Sequence, residues 1–369
     1  MEQTTRWARL RRLLREEWRS LATFQASGRR WPMPLAAALA SGAPLLVAAM
    51  AGDMQAGLAG SLGGLVFLYL PGTSMHHRMV TLMACGFAMA ACYAIGLGVQ
   101  ALGAAALRAP LIALVAMLVT MTVRYYRLPP PGPLFFVMAI AIGAYTPLPA
   151  DALARQVGLL FLGVLVAGLV AFGYSLAVLA RWPATPDPVR QPAGFGFVVV
   201  EAVVIGAAVG ASLLLAELLR LPRPYWVPVS CLAVVQGASL RAVWDRQFQR
   251  VAGSAMGMLV AGALLSLPFD AWRIAIAVMA LTFVVESLVV RHYGLAVVFI
   301  TPLTILLADA AALGSGAPVG ALLRARFLDT ALGCLVGLAG GVCLHSPGLR
   351  AALERGLRAM LPRRFRSAR

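Results

Sequence analysis

Stretches of apolar residues, each of about the length that a helix needs to cross a bilayer, alternate along the chain with short polar or proline-rich breaks. Six such stretches occupy 34–52, 55–71, 79–103, 109–125, 133–149 and 155–180. Six more occupy 198–219, 225–241, 250–268, 271–290, 293–309 and 322–345. Between the two sets lies RWPATPDPVRQPAGFG (181–196), polar and holding four prolines, which predicts a short extended linker. The expected fold is therefore all-α and polytopic, with about twelve transmembrane helices. Its expected parts are an N-terminal segment (1–31), a first six-helix membrane half (32–181), a linker (182–197), a second six-helix half (198–346) and a basic tail (347–369).

The two halves resemble one another in order. HHRMVTLMACGFAMA (76–90) matches FQRVAGSAMGMLVAG (248–262). LFFVMAIAIGAY (134–145) followed by ARQVGLLFLGVLVAG (154–168) matches LAVVFITPLTILL (295–307) followed by RARFLDTALGCLVGLAG (324–340). With six spans each, the halves share one orientation, which predicts parallel repeats about an axis along the membrane normal, with a site at their interface.

Composition agrees with a lipid solvent: hydrophobic residues make up 61% and charged ones 12%, too few to clothe a water-soluble surface. The net charge of +17 at first suggests nucleic acid, but the basic residues are all arginine and gather at the termini and in short loops, as the positive-inside rule expects. With an inward N-terminus, 24 arginines fall on the cytoplasmic side and 7 on the other. Both termini are thus expected inside a bacterial inner membrane. Residues 1–31 carry eight arginines and no apolar core, with Leu10, Leu13, Leu14, Trp18 and Leu21 at helical spacing. They read as an amphipathic helix on the cytoplasmic membrane surface, not a cleaved signal.

Chemistry of other kinds finds no support in the residues. The five cysteines all fall in apolar runs without a CxxC, which argues against a disulfide framework or a zinc site. Gly60-Ser61-Leu62-Gly63-Gly64 lacks the Lys-Ser/Thr of a phosphate loop. No catalytic constellation stands out, so neither an enzyme nor a bound cofactor is expected.

The second half carries an ordered series: Tyr225-Trp226-x-Pro228, then Gln249-Arg250-Val251-Ala252-Gly253-Ser254-Ala255-Met256-Gly257, then His292-Tyr293-Gly294 with Phe299-Ile300-Thr301-Pro302, then Arg326-x-x-Asp329-Thr330-x-x-Gly333. This series resembles the fusaric acid resistance-like family of bacterial inner-membrane proteins, which includes aromatic carboxylic acid exporters and has the plant aluminium-activated malate channels as distant relatives. The resemblance covers about 215–345 and implies transport of small organic anions. Long members of that family place a sizeable soluble domain between their membrane halves, whereas here the linker is short.

The residues allow two readings each. Arg250 opens a glycine-rich stretch with Gly253 and Gly257 in GxxxG spacing, which suits close helix packing or, facing lipid, a homodimer. Its guanidinium is either a cytoplasmic anchoring charge or an anion attractor at the cytoplasmic mouth, and Arg78 is its repeat counterpart. Arg326 and Asp329, at i and i+3, form either a helix-surface ion pair or part of a proton relay. Glu286 lies deep in its span, where carboxylates are expensive and functional by default, or it is a structural partner of Arg291, five residues on. Pro302 and Pro228 interrupt spans, as in transporters with broken helices, and Thr301, Thr304 and Ser230 then offer hydroxyls to a substrate. Tyr225 and Trp226 are either an interfacial belt or a stacking surface for an aromatic substrate. The expected function is export of small, preferentially aromatic organic acids, coupled to protons. A passive anion channel and a non-transporting subunit of an efflux assembly are the alternatives.

Overall fold

In a computed structural model, residues 24–25, 31–187, 194, 196–267, 270–313 and 319–360 are described. The expected amphipathic segment at 1–31, apart from residues 24, 25 and 31, lies outside them, as do the middle of the linker and the last nine residues. The described residues form thirteen α-helices and no strand. The first half comprises α1 (Pro32–Ala51), α2 (Met54–Gly64, prolonged by a 3-10 turn over Leu65–Tyr69), α3 (Met75–Ala101), α4 (Arg108–Tyr126), α5 (Leu134–Gly143) and α6 (Leu153–Leu179). The second comprises α7 (Glu201–Leu218, entered through a π-helical turn), α8 (Trp226–Val235), α9 (Leu240–Leu265), α10 (Ala271–Leu288), α11 (Tyr293–Leu313) and α12 (Val319–His345), and α13 (Pro347–Met360) follows.

Each predicted apolar stretch is one of the helices α1–α12, but they are not twelve equal spans. Eight helices among the described residues are long and apolar enough to cross a membrane, and four are shorter over their apolar part: 54–69, 134–143, 226–235 and 293–307. Ten residues of α-helix rise only about 15 Å, roughly half a hydrocarbon core. The short elements are the second and fifth helix of each half. In α5 and α8 the apolar residues are buried on every side, Phe136 to Ala141 and Trp226 to Val235 alike. A helix that is apolar all round belongs inside the protein. The lipid-facing role passes to long helices such as α6, α9 and α10, which leave Leu162, Leu169, Phe172, Leu259 and Ile276 exposed.

Helix starts follow local chemistry. Asp53, Ser74, Ser239 and Asp270 accept a backbone N–H from the first turn of α2, α3, α9 and α10 respectively, satisfying donors that a helix leaves open. Because Ser74 is the cap, His76 and His77 lie in the first turn of α3. Likewise α9 begins at Leu240, ten residues before Arg250, so Arg250 does not open its helix. Neither proline breaks its helix. α11 runs straight through Pro302, and Pro228 sits in the first turn of α8, where its missing N–H costs nothing. The shortness of α8 therefore comes from the polar turns at its two ends.

Small residues set the closest helix approaches. α3 packs on α5, and α9 on α11; α2 packs on α6, and α8 on α12. A Cβ at Gly253 would lie 2.6 Å from the carbonyl oxygen of Gly294, and one at Gly257 2.6 Å from that of Val298. The GxxxG pair thus faces α11 inside the fold, not lipid, so it offers no surface for a homodimer. The halves meet through α4 against α7, α10 against α1, α5 against α8, and α2 against α11. The described start of the linker is tied down too. Thr185 N–H donates to the carbonyl of Gly72, and Asp187 accepts from the amide and hydroxyl of Ser74.

Candidate functional site

All four short helices line one cavity of about 1710 Å³. α2 contributes Leu58 and Leu62, α5 Phe135 and Met138, α8 Trp226 and Val229, and α11 Ile300 and Thr304. The lining continues along the irregular chain on both sides of α5, from Pro130 to Pro149. Non-helical backbone at membrane depth is tolerated where it borders a cavity, because water there satisfies its polar groups.

Two long helices complete the walls in the same register. From α4 come Thr120, Val123 and Arg124, and from α10 come Thr282, Val285 and Glu286. The two sets have the same spacing on corresponding helices of the two halves. Sequence reasoning picked out Glu286 but missed Arg124 and both threonines. The shared Thr-x-x-Val-Arg/Glu spacing was the signal available for them.

The cationic centre of the cavity is built on α8. Arg250, from α9, donates to Ser230 Oγ at 3.3 Å and to the Tyr293 hydroxyl at 3.0 Å. Arg326, from α12, lies with its guanidinium carbon 3.9 Å from the centre of the Trp226 ring and donates to Thr304 Oγ1 at 3.1 Å. Trp226 and Ser230 are i and i+4 on α8, so they share a face one turn apart. Both guanidiniums line the cavity, yet each arginine is only 6% exposed. Among the described residues, Arg250 Nε and Arg326 Nη1 have no hydrogen-bond partner. Moving such an ion out of water costs several kcal/mol unless a counter-charge and hydrogen bonds offset it. The ring face of Trp226 offsets part, about 2 kcal/mol for a desolvated cation–π contact.

Asp329 does not form the helix-surface pair that its spacing from Arg326 suggested. It is fully buried behind Arg326 and is not part of the cavity wall, and among the described residues neither carboxylate oxygen has a hydrogen-bond partner. Arg250 is likewise not at a mouth but buried part-way along α9.

Tyr225 and Trp226 both line the cavity, with ring centroids 5.5 Å apart, and Tyr145 lies 5.9 Å from Tyr225. Arg108 caps this aromatic row 4.7 Å above Tyr145, whose hydroxyl donates to Glu217. The remaining predicted residues lie elsewhere. Thr301 donates its hydroxyl to Val297 and packs where α11 meets Gly257, while Pro302 is outside the lining. Arg78 is buried in the first half, where it donates to the Thr73 carbonyl at 2.8 Å and to Ser175 Oγ at 3.3 Å, away from the cavity.

Near the expected cytoplasmic end, Glu201 at the head of α7 pairs with Arg124 at 3.2 Å and with Arg350 of α13 at 3.6 Å, and Arg124 stacks over Phe197. Asp53 pairs with Arg155 at 2.7 Å near the expected outer end. Its carboxyl is held below the usual range, chiefly by the backbone N–H of Ala56 and then by Arg155. No group of three or more potential metal ligands exists among the described residues.

Every cavity residue of α8, α9, α10 and α12 named above, and Tyr225 just before α8, falls in one stretch of sequence, 209–340. Residues 209–340 match the model of the fusaric acid resistance protein-like family. The fusaric acid resistance protein-like stretch therefore holds Trp226, Ser230, Arg250, Glu286, Arg326 and Asp329, whereas Arg78 and Arg124 lie outside it. The chain is also similar to the uncharacterized membrane protein YvaC of Bacillus subtilis (strain 168), with 33% identity over 168 residues. That similarity covers 43% of this chain and 26% of the relative, so the chain spans about a quarter of the protein it matches. No solved structure matches the chain. The helices and these matches make it a multi-pass membrane protein.

Proposed function

We propose that this chain is a bacterial inner-membrane transporter that exports small organic anions, aromatic acids by preference, through the cavity between its two halves, with protons as the coupling ion and both termini in the cytoplasm. One observation carries the reading. Two buried arginines face a cavity of about 1710 Å³, and each keeps an unpartnered N–H among the described residues. A carboxylate is the complement of such a pair, since a guanidinium donates in a fork and stays charged. Trp226 and Tyr225 beside the arginines offer an aromatic substrate a stacking surface. The equal roles of α2, α5, α8 and α11, and the matching contacts α4–α7 and α10–α1, favour two parallel six-helix repeats with the site on their common axis.

The test is flux of aromatic and aliphatic carboxylates in proteoliposomes of the full chain, with and without an imposed pH gradient. Gradient-dependent flux of aromatic acids supports the proposal. Flux of none of the acids would overturn it. A channel reading has one observation in its favour, the lining that follows α5 past both of its ends. Current that follows voltage and ignores pH would establish it.

A further inference from the structure

Asp329 follows Arg326 by one helical turn on α12, is 0% exposed, and has no hydrogen-bond partner on either carboxylate oxygen among the described residues. Arg326 Nη1 is unpartnered too, while its Nη2 is committed to Thr304 and its face to Trp226. An ionised carboxylate buried without hydrogen bonds costs several kcal/mol. The cationic groups acting on it are Arg326 and, from the turn before α8, Arg223. Of the other elements packed on α12, α9 brings Arg250 close to Arg326, α8 contributes Tyr225 at its head, and α7 carries its carboxylates at its two ends, Glu201 and Glu217. Asp329 thus depends on a guanidinium that also lines the cavity.

We propose that a cavity anion and a proton bind together: as the anion occupies Arg326, Asp329 takes up a proton. This rests on the anion-site reading above and fixes the sign of its coupling. Without an anion, Arg326 is the counter-charge of Asp329. An anion on the cavity side of the guanidinium places a second negative charge near the carboxylate and claims the same cation. Protonation removes that conflict. By reciprocity, a protonated Asp329 leaves Arg326 free for the anion, so protons and anion raise each other's affinity by the same factor. The bond formed is O–H on Asp329, the bond broken is an O–H of hydronium in the surrounding solution, replenished by the buffer acid, and the loaded site has gained one negative and one positive charge. The pair crosses as the neutral acid. Its flux follows the product of the anion and proton gradients and does not draw on membrane voltage, so an inward proton gradient opposes export and the pair runs outward where the outward gradient of the acid exceeds it. Glu286 lacks this arrangement, because it faces the cavity from α10 and not from behind Arg326.

Calorimetric titration of the full chain with benzoate, in two buffers of different protonation enthalpy, counts the protons taken up. Wild type is expected to take up as much as one proton per benzoate, with affinity rising up to tenfold for each pH unit lowered. Asp329→Asn is expected to bind benzoate with no uptake and no such slope, and Asp329→Glu to restore both. Benzoate binding by wild type without proton uptake at any pH where benzoate is ionised would overturn the coupling and leave the anion site standing. Equal uptake in Asp329→Asn would overturn the role of Asp329. Failure of wild type to bind any acid of the panel would overturn the anion site, and the coupling with it.

Discussion

The guanidinium carbon of Arg326 lies over the Trp226 ring, 3.9 Å from its centre, and one turn further along α8 Ser230 receives Arg250. Helix α8 thus acts as a short central post that holds two cations from two other helices at fixed depth. Its own residues are apolar but for Ser230, and all are buried.

Removing either cation should weaken anion binding without unfolding the bundle. A hydrogen bond to a charged group contributes roughly 1.5–3 kcal/mol, so Arg326→Gln and Arg250→Gln should each weaken benzoate binding by about tenfold to a hundredfold, as measured by calorimetry. Arg326→Lys keeps the charge but loses the planar stack on Trp226, and should recover only part of the affinity. Trp226→Leu should weaken aromatic acids more than aliphatic ones.

The close approach of α9 to α11 predicts a sharp contrast among glycines. Gly253→Val and Gly257→Val press a side chain against backbone 2.6 Å away, and buried overpacking costs about 1–3 kcal/mol or more. Both should lower the melting temperature of the detergent-solubilised protein. Gly158→Ala, on α6 with nothing within 4 Å of the added carbon, should leave it unchanged or raise it.

Much of this architecture is legible in the chain. The apolar stretches give all twelve helices of the two halves to within a few residues at most starts, since hydropathy reports directly what must avoid water. It does not report length in the membrane. The stretch 133–149 is apolar throughout, yet α5 ends at Gly143, because Thr146, Pro147 and Pro149 turn the chain toward the cavity. Ser239 capping moved the start of α9 ahead of Arg250 and carried that residue inward. Of the cavity residues, Glu286 was readable as a costly residue at depth, whereas Arg250, Arg326, Tyr225 and Trp226 were singled out at the ends of their spans. Arg78 looked equivalent to Arg250 by repeat, but its partners Thr73 and Ser175 keep it in the packing of the first half. Which of two matching arginines faces the cavity depends on rotation about a helix, and one sequence does not fix that.

Asp53 ties the start of α2 to α6 through Arg155, and its depressed carboxyl gives this link a pH signature. A carboxyl whose folded-state pKa lies below its unfolded value adds stability above the unfolded pKa and loses it as pH falls through the folded one. Wild type should therefore lose a stabilising increment on acidification that Asp53→Asn does not lose. Asparagine still caps the helix but cannot pair with Arg155, so the difference between the two melting curves should be largest near neutral pH and vanish below the carboxylate range.

Glu201 is shared between Arg124, whose side chain lines the cavity, and Arg350 on α13. One carboxylate therefore links α13 to the wall of the cavity. Glu201 is 9% exposed, and removing a buried counter-ion costs more than the pair itself was worth, because it leaves cations without compensation. Glu201→Gln should release α13 from the bundle while α7 and α8 hold. Hydrogen exchange should then speed up across 347–360 and stay slow in 226–235. Equal protection of α13 in variant and wild type would mean that α13 is held by contacts other than the Arg350 pair. If the pair is the latch, the same variant should also change anion flux, since Arg124, a cation of the cavity wall, would lose its counter-charge.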